Sequence, residues 1–143
     1  MKKETFPIPA NEKERLEALL RYDILDSFSE QEYDNITSLA SYICHVPIVT
    51  ISLIDDKRQW FKSQLGLDGT EAPREVMFCK YTIMDDVLLE IPNIAESEKF
   101  KDTEPAIAHP DLKFYAGVPL QTPDGFNIGT LCIADFKPKE LDA

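Results

Sequence analysis

Three cysteines are the residues of this chain best suited to covalent chemistry. They are Cys44, Cys79 and Cys132, an odd number, and no two of them form a C-x-x-C motif. Cysteine reacts as its thiolate, and redox chemistry also needs a second thiol that resolves the first product. Cys44 falls at the end of a predicted helix, and Cys132 alternates with apolar residues, as a thiol packed in a core does. The pattern indicates reduced thiols in a cytoplasmic protein.

Other arrangements that could hold a metal, a phosphate or a catalytic acid are weak. Asp55 and Asp56 are adjacent carboxylates, but they fall in a polar turn, where Asp is favoured for local hydrogen bonding. His45 has no further ligands at the spacing of a zinc site. Gly66 and Gly69 are not part of a G-x-x-x-x-G-K-[ST] loop. The sequence therefore predicts neither a metal site nor a catalytic triad.

The chain is long enough for one domain and is strongly acidic. It has 143 residues, with 15 Lys and Arg against 26 Asp and Glu, and a formal net charge of -11. A field of that sign repels the phosphate backbone of nucleic acids and anionic lipid surfaces. The apolar stretches are no longer than strands, and no apolar region follows Lys2 and Lys3 as it would in a secretory signal. We therefore expect no nucleic-acid partner and no insertion into a membrane.

A predicted β-hairpin at residues 114–136 is the element that the other elements must cover. Pro123 and Gly125 suit the tight turn between its two apolar runs. In the second run one face carries Leu131 and Ile133, and the other carries Ile128, Thr130, Cys132 and Ala134. A strand that is apolar on both faces must be covered on both, by helices or by a lid over a pocket. These residues leave open whether this is a plain central hairpin or the floor of a pocket.

Two amphipathic helices are predicted before the first strand. The first follows a capping box of Asn11 and Glu14, and the second follows one of Ser29 and Glu32. The apolar stripe of the first helix consists of Leu16, Leu19, Leu20 and Ile24. It is so narrow that the helix packs either on a partner chain or on its own domain. The predicted core-facing stripe of the second helix consists of Tyr33, Ile36, Leu39, Ala40 and Ile43.

The remaining elements complete an α+β pattern. Further strands are predicted at residues 46–54, 58–65 and 88–91. Short helices are predicted at residues 75–84 and 96–100. Residues 66–74 are predicted to be a loop, and residues 138–141 resemble the first turn of another helix. Strands joined by hairpins, with helices at the ends of the chain, predict an antiparallel sheet covered by helices.

The domain organisation predicted from this order is simple. We expect an extended N-terminal segment at residues 1–10 and a single domain at residues 11–143. That domain includes the leading helix and the start of a truncated connecting helix at its end. The sequence is therefore interpreted as the front part of a longer protein.

Five sequence blocks in the same order resemble one known family. They are NEKERLEALLRYDILD from Asn11, PIVTISLID from Pro47, RQWFKSQLGLD from Arg58, PREVMFC from Pro73 and FYAGVPLQTPDGFNIGTLCIAD from Phe114. Together they cover nearly the whole chain and are similar to a GAF domain of the bacterial signalling type. In that subfamily the domain precedes histidine kinase, diguanylate cyclase or phosphatase modules. The resemblance implies a GAF/PAS-like α+β fold, with a central antiparallel β-sheet, helices on one face, and a lid and pocket on the other.

The resemblance also implies which residues line the pocket. The candidates are Phe78, Cys79 and Ile83 on the segment expected to cover the sheet, Tyr115 and Thr130 on the hairpin expected to form the floor, and Trp60 on an earlier strand. A small-molecule pocket combines apolar walls with a few placed polar groups, which this set supplies. Each residue is equally suited to a packed core. The expected ligand is an unidentified small molecule.

Two known ligand classes of GAF domains have no matching motif here. Bilin-binding relatives attach the pigment through a cysteine directly before a histidine, in the stretch leading to the hairpin. Here that stretch reads Ile107-Ala108-His109-Pro110, so we expect no covalent bilin and interpret His109 as a solvated loop residue. The N-K-x-x-x-F-x-x-x-D-E pattern of cyclic-nucleotide-binding relatives does not occur either. The cofactor is therefore unknown.

The favoured hypothesis is a non-catalytic sensory domain of a signal-transduction protein, such as a two-component system, that controls a kinase or cyclase output module. It binds a small molecule, forms a homodimer through its N- and C-terminal helices, or does both. The alternative is a ligand-free dimerisation scaffold. A third hypothesis is a thiol enzyme similar to free methionine-R-sulfoxide reductase, which also has a GAF fold. In that case Cys79 and Cys132 meet beneath the covering segment and Lys80 favours the thiolate, although the spacing of the cysteines differs from that enzyme's.

Overall fold

The computed structural model describes residues 7–141. Within this range the strands are β1 Ile48–Ile54, β2 Arg58–Leu65, β3 Glu71–Pro73, β4 Leu89–Ile91, β5 Phe114–Gln121 and β6 Asn127–Asp135. All neighbours pair antiparallel, and they form one sheet in the order β3-β2-β1-β6-β5-β4. Residues 1–6, the larger part of the segment predicted to be extended, lie outside the described residues.

The helices lie on both faces of this sheet. They are α1 Glu12–Tyr22, α2 Gln31–Cys44, α3 Cys79–Thr82 and α4 Glu104–Ala108, with 3-10 turns at Arg74–Val76 and Ile94–Glu96. α1 and α2 cover one face, which we call the helical face. The shorter helices lie over the opposite face, which we call the pocket face. The predicted α+β fold is therefore confirmed. Over residues 7–141, no helix has the length and apolar character that crossing a bilayer requires.

β5 and β6 form the hairpin predicted around Pro123 and Gly125. The Gly125 amide donates to the Thr122 carbonyl at 2.9 Å. Its φ of 94° lies in the left-handed region, which glycine adopts without steric cost. β6 also pairs with β1, so it lies in the middle of the sheet and is buried along nearly its whole length. The prediction that both faces of this strand are covered is confirmed.

β1 and β6 approach each other closely at Gly129. A Cβ atom at this position would collide with the carbonyl oxygen of Ser52 on β1. Glycine is therefore needed for backbone contact between the two central strands. The neighbouring pair, Ser52 and Thr130, faces the pocket side and is buried there.

α1 packs on its own domain. Ala18 and Leu19 are buried against Leu53, Trp60 and Ile128 of the helical face. Of the two arrangements that the sequence left open for this helix, packing on its own sheet is the one observed. Leu20, which was predicted to belong to the same stripe, is 68% exposed.

Neither predicted capping box forms. The N-cap residues are Asn11 for α1 and Glu30 for α2, and neither makes a side-chain capping hydrogen bond. α2 begins one residue later than the predicted box requires. The residues before it are hydrogen-bonded to β2. Lys62 Nζ on β2 donates to Ser27 Oγ at 2.8 Å and to the Phe28 carbonyl at 2.7 Å.

The predicted core face of α2 is wrong. Tyr33 and Ala40 are only partly buried, and the stripe of Ile36, Leu39 and Ile43 is exposed. Thr37 is buried instead, and its hydroxyl lies 3.0 Å from Ser63 Oγ on β2. The Ser63 hydroxyl also donates to Asp34 Oδ1 at 2.6 Å. α2 therefore meets β2 through polar groups, while Ala40 and Cys44 pack on the apolar core of the sheet and the larger apolar residues face outward.

The short elements over the pocket face match the predictions in part. Residues 74–82, comprising the first 3-10 turn and α3, form the covering segment that the sequence predicted, and we call them the lid. The helix predicted at 96–100 is wrong. There the chain makes only a turn, in which the amides of Phe100 and Lys101 donate to the Ser97 carbonyl at 3.3 and 2.9 Å. The Phe100 amide also donates to Ser97 Oγ at 3.3 Å, a local bond that competes with helix formation. The helix of this region is α4, which has Pro105 in its first turn.

Two further expectations need correction. The predicted loop at 66–74 contains β3, which pairs with the start of β2. Residues 138–141 form no helical turn. Instead the Lys139 amide donates to the Pro92 carbonyl at 3.0 Å, and the Leu141 amide donates to Glu90 Oε2 at 2.9 Å. The backbone N–H groups of this segment are therefore bonded to β4 and to the residue after it, and not to a helical turn.

Candidate functional site

A cavity of about 250 Å³ lies between the pocket face and the lid. Its floor comes from the central strands, its roof from Phe78 and Cys79 on the lid, and one wall from the residues after α4. The side chains that matter for its chemistry are Thr50, Cys79, His109, Tyr115 and Cys132. Aliphatic and aromatic groups provide most of the remaining lining, so the cavity is apolar with a few polar groups, as ligand pockets are.

The Cys79 thiol is the centre of a buried hydrogen-bond cluster. Its Sγ accepts bonds from Thr130 Oγ1 at 3.1 Å, Tyr115 Oη at 3.2 Å and Gln59 Nε2 at 3.2 Å. These donors come from β6, β5 and β2, and the thiol itself comes from the lid. One sulfur atom therefore connects the lid to three strands of the sheet. Cys132 Sγ lies 3.6 Å from the same atom.

Hydroxyl groups of two threonines contact the members of this cluster. Thr82 Oγ1 lies 2.7 Å from Tyr115 Oη, so Thr82 can donate to the tyrosine while the tyrosine donates to the thiol. Thr50 Oγ1 lies 2.9 Å from Cys132 Sγ. Space for the tyrosine hydroxyl depends on Gly117, since a Cβ atom there would lie 2.5 Å from it. The cluster is thus fixed by residues of the lid and of the strands together.

The two thiols differ in acidity. Burial raises the pKa of Cys79, but hydrogen bonds from Cys132, Thr130, Tyr115 and Gln59 lower it more, so that it falls from 9.0 to about 7. The hydrogen bond to Cys79, together with burial, raises the pKa of Cys132 well above 9.0. Burial and the nearby Cys79 charge raise the pKa of Tyr115. Cys79 is therefore the more acidic thiol of the pair.

Lys80 does not act on the thiol as the sequence suggested. Its ammonium is buried and donates to the Glu75 carbonyl at 2.7 Å and to Glu104 Oε2 at 3.1 Å. Neutral donors of the sheet, rather than this cation, surround Cys79. The Lys80–Glu104 pair instead joins the lid to α4.

The interpretation of His109 as a solvated loop residue is wrong. The side chain lines the cavity, and its Nε2 atom is buried with no hydrogen-bond partner. A buried polar nitrogen without a partner is costly, and a ligand group that hydrogen-bonds to it would remove that cost. His109 ends α4, where its amide donates to the Pro105 carbonyl at 3.0 Å.

The six residues predicted for the pocket are divided by the structure. Phe78, Cys79 and Tyr115 line the cavity. Ile83 and Thr130 lie on the same face but are buried in the core beside it. The expectation for Trp60 is wrong, because it packs under α1 on the helical face.

Sequence reasoning missed three groups of the site. Gln59 was not considered, His109 was interpreted as a solvated loop residue, and Cys132 was treated as a core thiol except in the enzyme hypothesis, where it meets Cys79. Strand alternation does carry a signal for Gln59, since it places this amide on the side opposite Trp60. No local pattern identifies His109, because its position depends on the path of the loop after α4.

A buried ionic cluster connects the lid to α1. Glu12 Oε2 accepts a bond from Arg74 Nη1 on the lid at 2.6 Å, and Glu12 Oε1 accepts one from Arg15 Nε at 2.9 Å. Arg15 also donates to the Ile54 carbonyl at the end of β1 at 2.7 Å. Both guanidinium groups are fully buried. Burial raises the pKa of Glu12, but the bonds from Arg15 and Arg74 lower it further, so the net pKa lies below 4.5. The lid is therefore linked to the first helix by charge-assisted bonds.

We also searched residues 7–141 for a metal-binding site. Among residues 7–141, no group of three or more His, Cys, Asp or Glu side chains is arranged to hold a metal ion.

The sequence of this chain is similar to part of one curated protein. No protein-family model matches the chain. It is 33% identical over 135 residues to a cyclic di-GMP phosphodiesterase of Pseudomonas aeruginosa, a match that covers 94% of this chain and 23% of that protein. The chain thus spans about a quarter of the length of this curated relative.

Solved structures of GAF domains have the same fold. The GAF domain of the Acinetobacter phosphoenolpyruvate-protein phosphotransferase superimposes with a TM-score of 0.61 at 15% identity, covering 91% of this chain and 80% of that one. A putative GAF sensor protein from Burkholderia vietnamiensis gives 0.60 at 12% identity, covering 91% and 83%. Free methionine-R-sulfoxide reductase from Neisseria meningitidis gives 0.62 at 15% identity, covering 99% and 85%. The sensor and the reductase share one architecture, so the architecture does not separate their functions. The GAF fold that the resemblance implied is confirmed, and this chain is a GAF-fold domain.

Proposed function

We propose that this domain is the regulatory module of a signal-transduction protein, and that it binds a small molecule in the cavity beneath the lid. The observation that carries the proposal is a mostly apolar cavity whose lining includes His109, a residue whose buried Nε2 atom has no hydrogen-bond partner. A ligand with one hydrogen-bonding group would satisfy that atom while filling the apolar space. The domain itself has no catalytic role in this proposal.

The size of the cavity limits the ligand. A volume of about 250 Å³ is slightly below the range of about 300–1,000 Å³ that drug-sized ligands occupy. It corresponds to about eight water molecules at about 30 Å³ each. We therefore propose a compact, mostly apolar molecule with a single polar group directed toward His109.

The proposed route of signalling runs through the lid. A ligand that contacts Phe78 favours one position of the lid over another, because it can shift an equilibrium only through different affinities for the two states. Any shift of the lid acts on Arg74, and through the Glu12 carboxylate on α1. The output module is proposed to lie outside residues 11–143, which form one regulatory domain. The Pseudomonas relative suggests an enzyme of cyclic di-nucleotide turnover, with a kinase or cyclase as the other candidates.

Mass spectrometry of the protein purified from its host cells tests ligand binding. We expect a small molecule that is retained under native conditions and released under denaturing conditions. Leu112→Trp fills the cavity and should abolish retention, while Leu88→Trp, at an exposed leucine outside the cavity lining, should preserve it. Retention that is equal in the two variants, or a parent protein whose native mass is that of the chain alone, would contradict the proposal.

A second candidate function is dimerisation, for which α2 provides a specific observation. Ile36, Leu39, Tyr42 and Ile43 form an apolar stripe whose members are 47% to 79% exposed. The spacing i, i+3, i+7 is that of a helix-pairing seam, and a two-fold axis would place the stripe against its own copy. Both charged residues of α2, Glu32 and Asp34, lie in its first turn, so two acidic chains can meet here without like charges at the seam. We propose a second copy of this chain as the occupant, through α2 rather than through the terminal helices predicted from the sequence.

Light scattering during size-exclusion chromatography tests this arrangement. Leu39→Glu should convert a dimer into a monomer. Leu88→Glu, which places the same charge at another exposed leucine, should leave the dimer intact. A monomeric parent protein, or a dimer that survives Leu39→Glu, would rule out the α2 interface.

A further inference from the structure

The Cys79 and Cys132 thiols meet across the junction between the lid and the sheet. Both are free, and their Sγ atoms are 3.6 Å apart. A disulfide needs an S–S distance of about 2.05 Å, so bond formation requires an approach of about 1.5 Å. The two residues are 53 positions apart in the chain and belong to different layers of the fold. This approach moves α3 toward β6.

The surroundings of the two sulfur atoms give them different roles. Cys79 Sγ accepts hydrogen bonds from Gln59, Tyr115 and Thr130, which stabilise negative charge on that sulfur. Cys132 Sγ has the Thr50 hydroxyl and Cys79 itself as its partners. The attacking thiolate is therefore Cys79 and the resolving thiol is Cys132. The lowered pKa of Cys79, about 7, agrees with this assignment.

The cavity gives a small oxidant a place to meet the thiolate. Both cysteines line it, together with His109 and apolar groups. Hydrogen peroxide has only two heavy atoms and fits easily within about 250 Å³. Tyr115 Oη, which bonds Cys79, lies on the same wall and can donate to an oxygen atom placed beside the sulfur.

We propose that Cys79 and Cys132 are a redox-active pair that a small hydroperoxide oxidises to an intramolecular disulfide, which fastens the lid to the sheet. The Cys79 thiolate attacks the terminal peroxide oxygen and the O–O bond breaks. Cys79 becomes a sulfenic acid, and the leaving oxygen takes up the proton that the thiol lost. Cys132 then attacks the Cys79 sulfur, its proton leaves with the hydroxyl group as water, and the S–S bond forms. In total two thiols and one hydroperoxide give one disulfide, one alcohol or water, and one further water.

Oxidation would change the contacts of the lid. In the disulfide the Cys79 sulfur is no longer a good acceptor, so Gln59, Tyr115 and Thr130 lose a shared partner. Since α3 is drawn toward β6, the cavity narrows at its roof. The reaction needs no bound ligand and thus goes beyond the proposed small-molecule function.

Peptide mapping by mass spectrometry after treatment with one equivalent of hydrogen peroxide tests the pair on the parent protein. We expect a loss of two hydrogens and one cross-linked peptide pair containing Cys79 and Cys132, reversed by a dithiol reductant. Cys44→Ser, which removes the half-buried cysteine of α2, should give the same product at the same rate. A cross-link through Cys44, or two cysteines that stay reduced under these conditions, would overturn the proposal while leaving ligand binding untouched.

Two variants test the separate roles of the residues. Cys132→Ser should stop the reaction at a sulfenic acid on Cys79, which dimedone traps as a single adduct. Thr130→Val removes one positioning donor and should raise the pH of half-maximal oxidation rate by about one unit, with little change in the rate at high pH. If Cys132→Ser yields no adduct, or if Thr130→Val leaves the pH profile unchanged, the assigned roles are wrong.

Discussion

The ionic cluster of Glu12, Arg15 and Arg74 allows one substitution to be worked out in detail. Glu12→Gln keeps the shape of the side chain and removes its charge. The carboxylate lies within 2.9 and 3.1 Å of two Arg15 nitrogens, and within 2.6 and 3.3 Å of two Arg74 nitrogens. The amide retains one acceptor oxygen and places an NH₂ group against a guanidinium. The change therefore removes the carboxylate that two buried guanidinium groups share.

The expected loss of stability is large for a single substitution. Removing one partner of a buried ionic network costs about 3–5 kcal/mol. Glu12 is 17% exposed, and the amide keeps part of its hydrogen bonding, so we place the cost at about 3 kcal/mol. For a domain of this size that corresponds to a fall in melting temperature of about 6–12 °C.

Urea denaturation at neutral pH measures this loss, with Glu17→Gln as the matched control. Glu17 lies on the same helix but is exposed, so its substitution should change the free energy of unfolding by less than about 0.5 kcal/mol. The slope of free energy against urea concentration should be the same in all three proteins. A Glu12→Gln protein that is as stable as the control would refute the view that this cluster fastens α1 to the lid.

The pH dependence provides an independent check of the same reasoning. The pKa of Glu12 in the folded state lies below 4.5, so its stabilising contribution is complete above about pH 4.5 and is lost as the pH falls through the folded-state pKa. The stability gap between the parent and Glu12→Gln should therefore shrink when the pH is lowered to about 3. A gap of constant size would mean that the charge of Glu12 is not the source of the stabilisation.

Three further outcomes follow from the geometry of the strands and the lid. Alkylation of Cys79 by a small reagent should titrate with an apparent pKa of about 7, as measured by the rate of adduct formation between pH 5 and 10; a midpoint above 9 would contradict the hydrogen-bond cluster. Gly129→Ala should destabilise the domain by about 1–3 kcal/mol in urea, because its methyl group meets the Ser52 carbonyl, and an unchanged midpoint would show that β1 and β6 can separate without cost. Glu104→Gln removes a half-exposed partner of Lys80 and should cost less than about 1 kcal/mol in the same assay, so a larger effect would make that pair a principal attachment of the lid.

Local patterns predict the strands of this protein well. β2 has the predicted bounds, and the hairpin of β5 and β6 follows from Pro123 and Gly125. These elements were predictable because each is a short segment bounded by turn residues. Its residues either alternate between apolar and polar or are apolar throughout, and both patterns are typical of strands.

Which surface each side chain faces was much harder to predict. The spacing of Ile36, Leu39 and Ile43 shows that α2 is amphipathic, but not that β2 offers it Ser63 and Lys62 rather than apolar groups. The same limit applies to Trp60, since alternation separates its side of β2 from that of Gln59 without saying which side meets the lid. Both errors concern contacts between elements, which depend on residues far away in the chain.

The residues of the cavity were likewise predicted only in part. Phe78, Cys79 and Tyr115 were found because the resemblance to GAF domains implied a pocket between the lid segment and the hairpin. His109 was missed because its burial is determined by the loop after α4, whose path no periodicity reveals. The acidity of Cys79 was attributed to the adjacent Lys80, whereas distant strands supply the donors that surround the sulfur.

The two outer strands of the sheet have a consequence for aggregation. β3 is three residues long and ends in Pro73, which has no amide proton to offer another strand. β4 is equally short, and the chain near Leu141 lies beside it: the Leu141 amide donates to the Glu90 side chain, and the Lys139 amide donates to the Pro92 carbonyl just after the strand. Such short edge strands offer few free backbone groups to a strand of another molecule. This sheet should therefore resist edge-to-edge aggregation even at salt concentrations that screen the acidic charge of the chain.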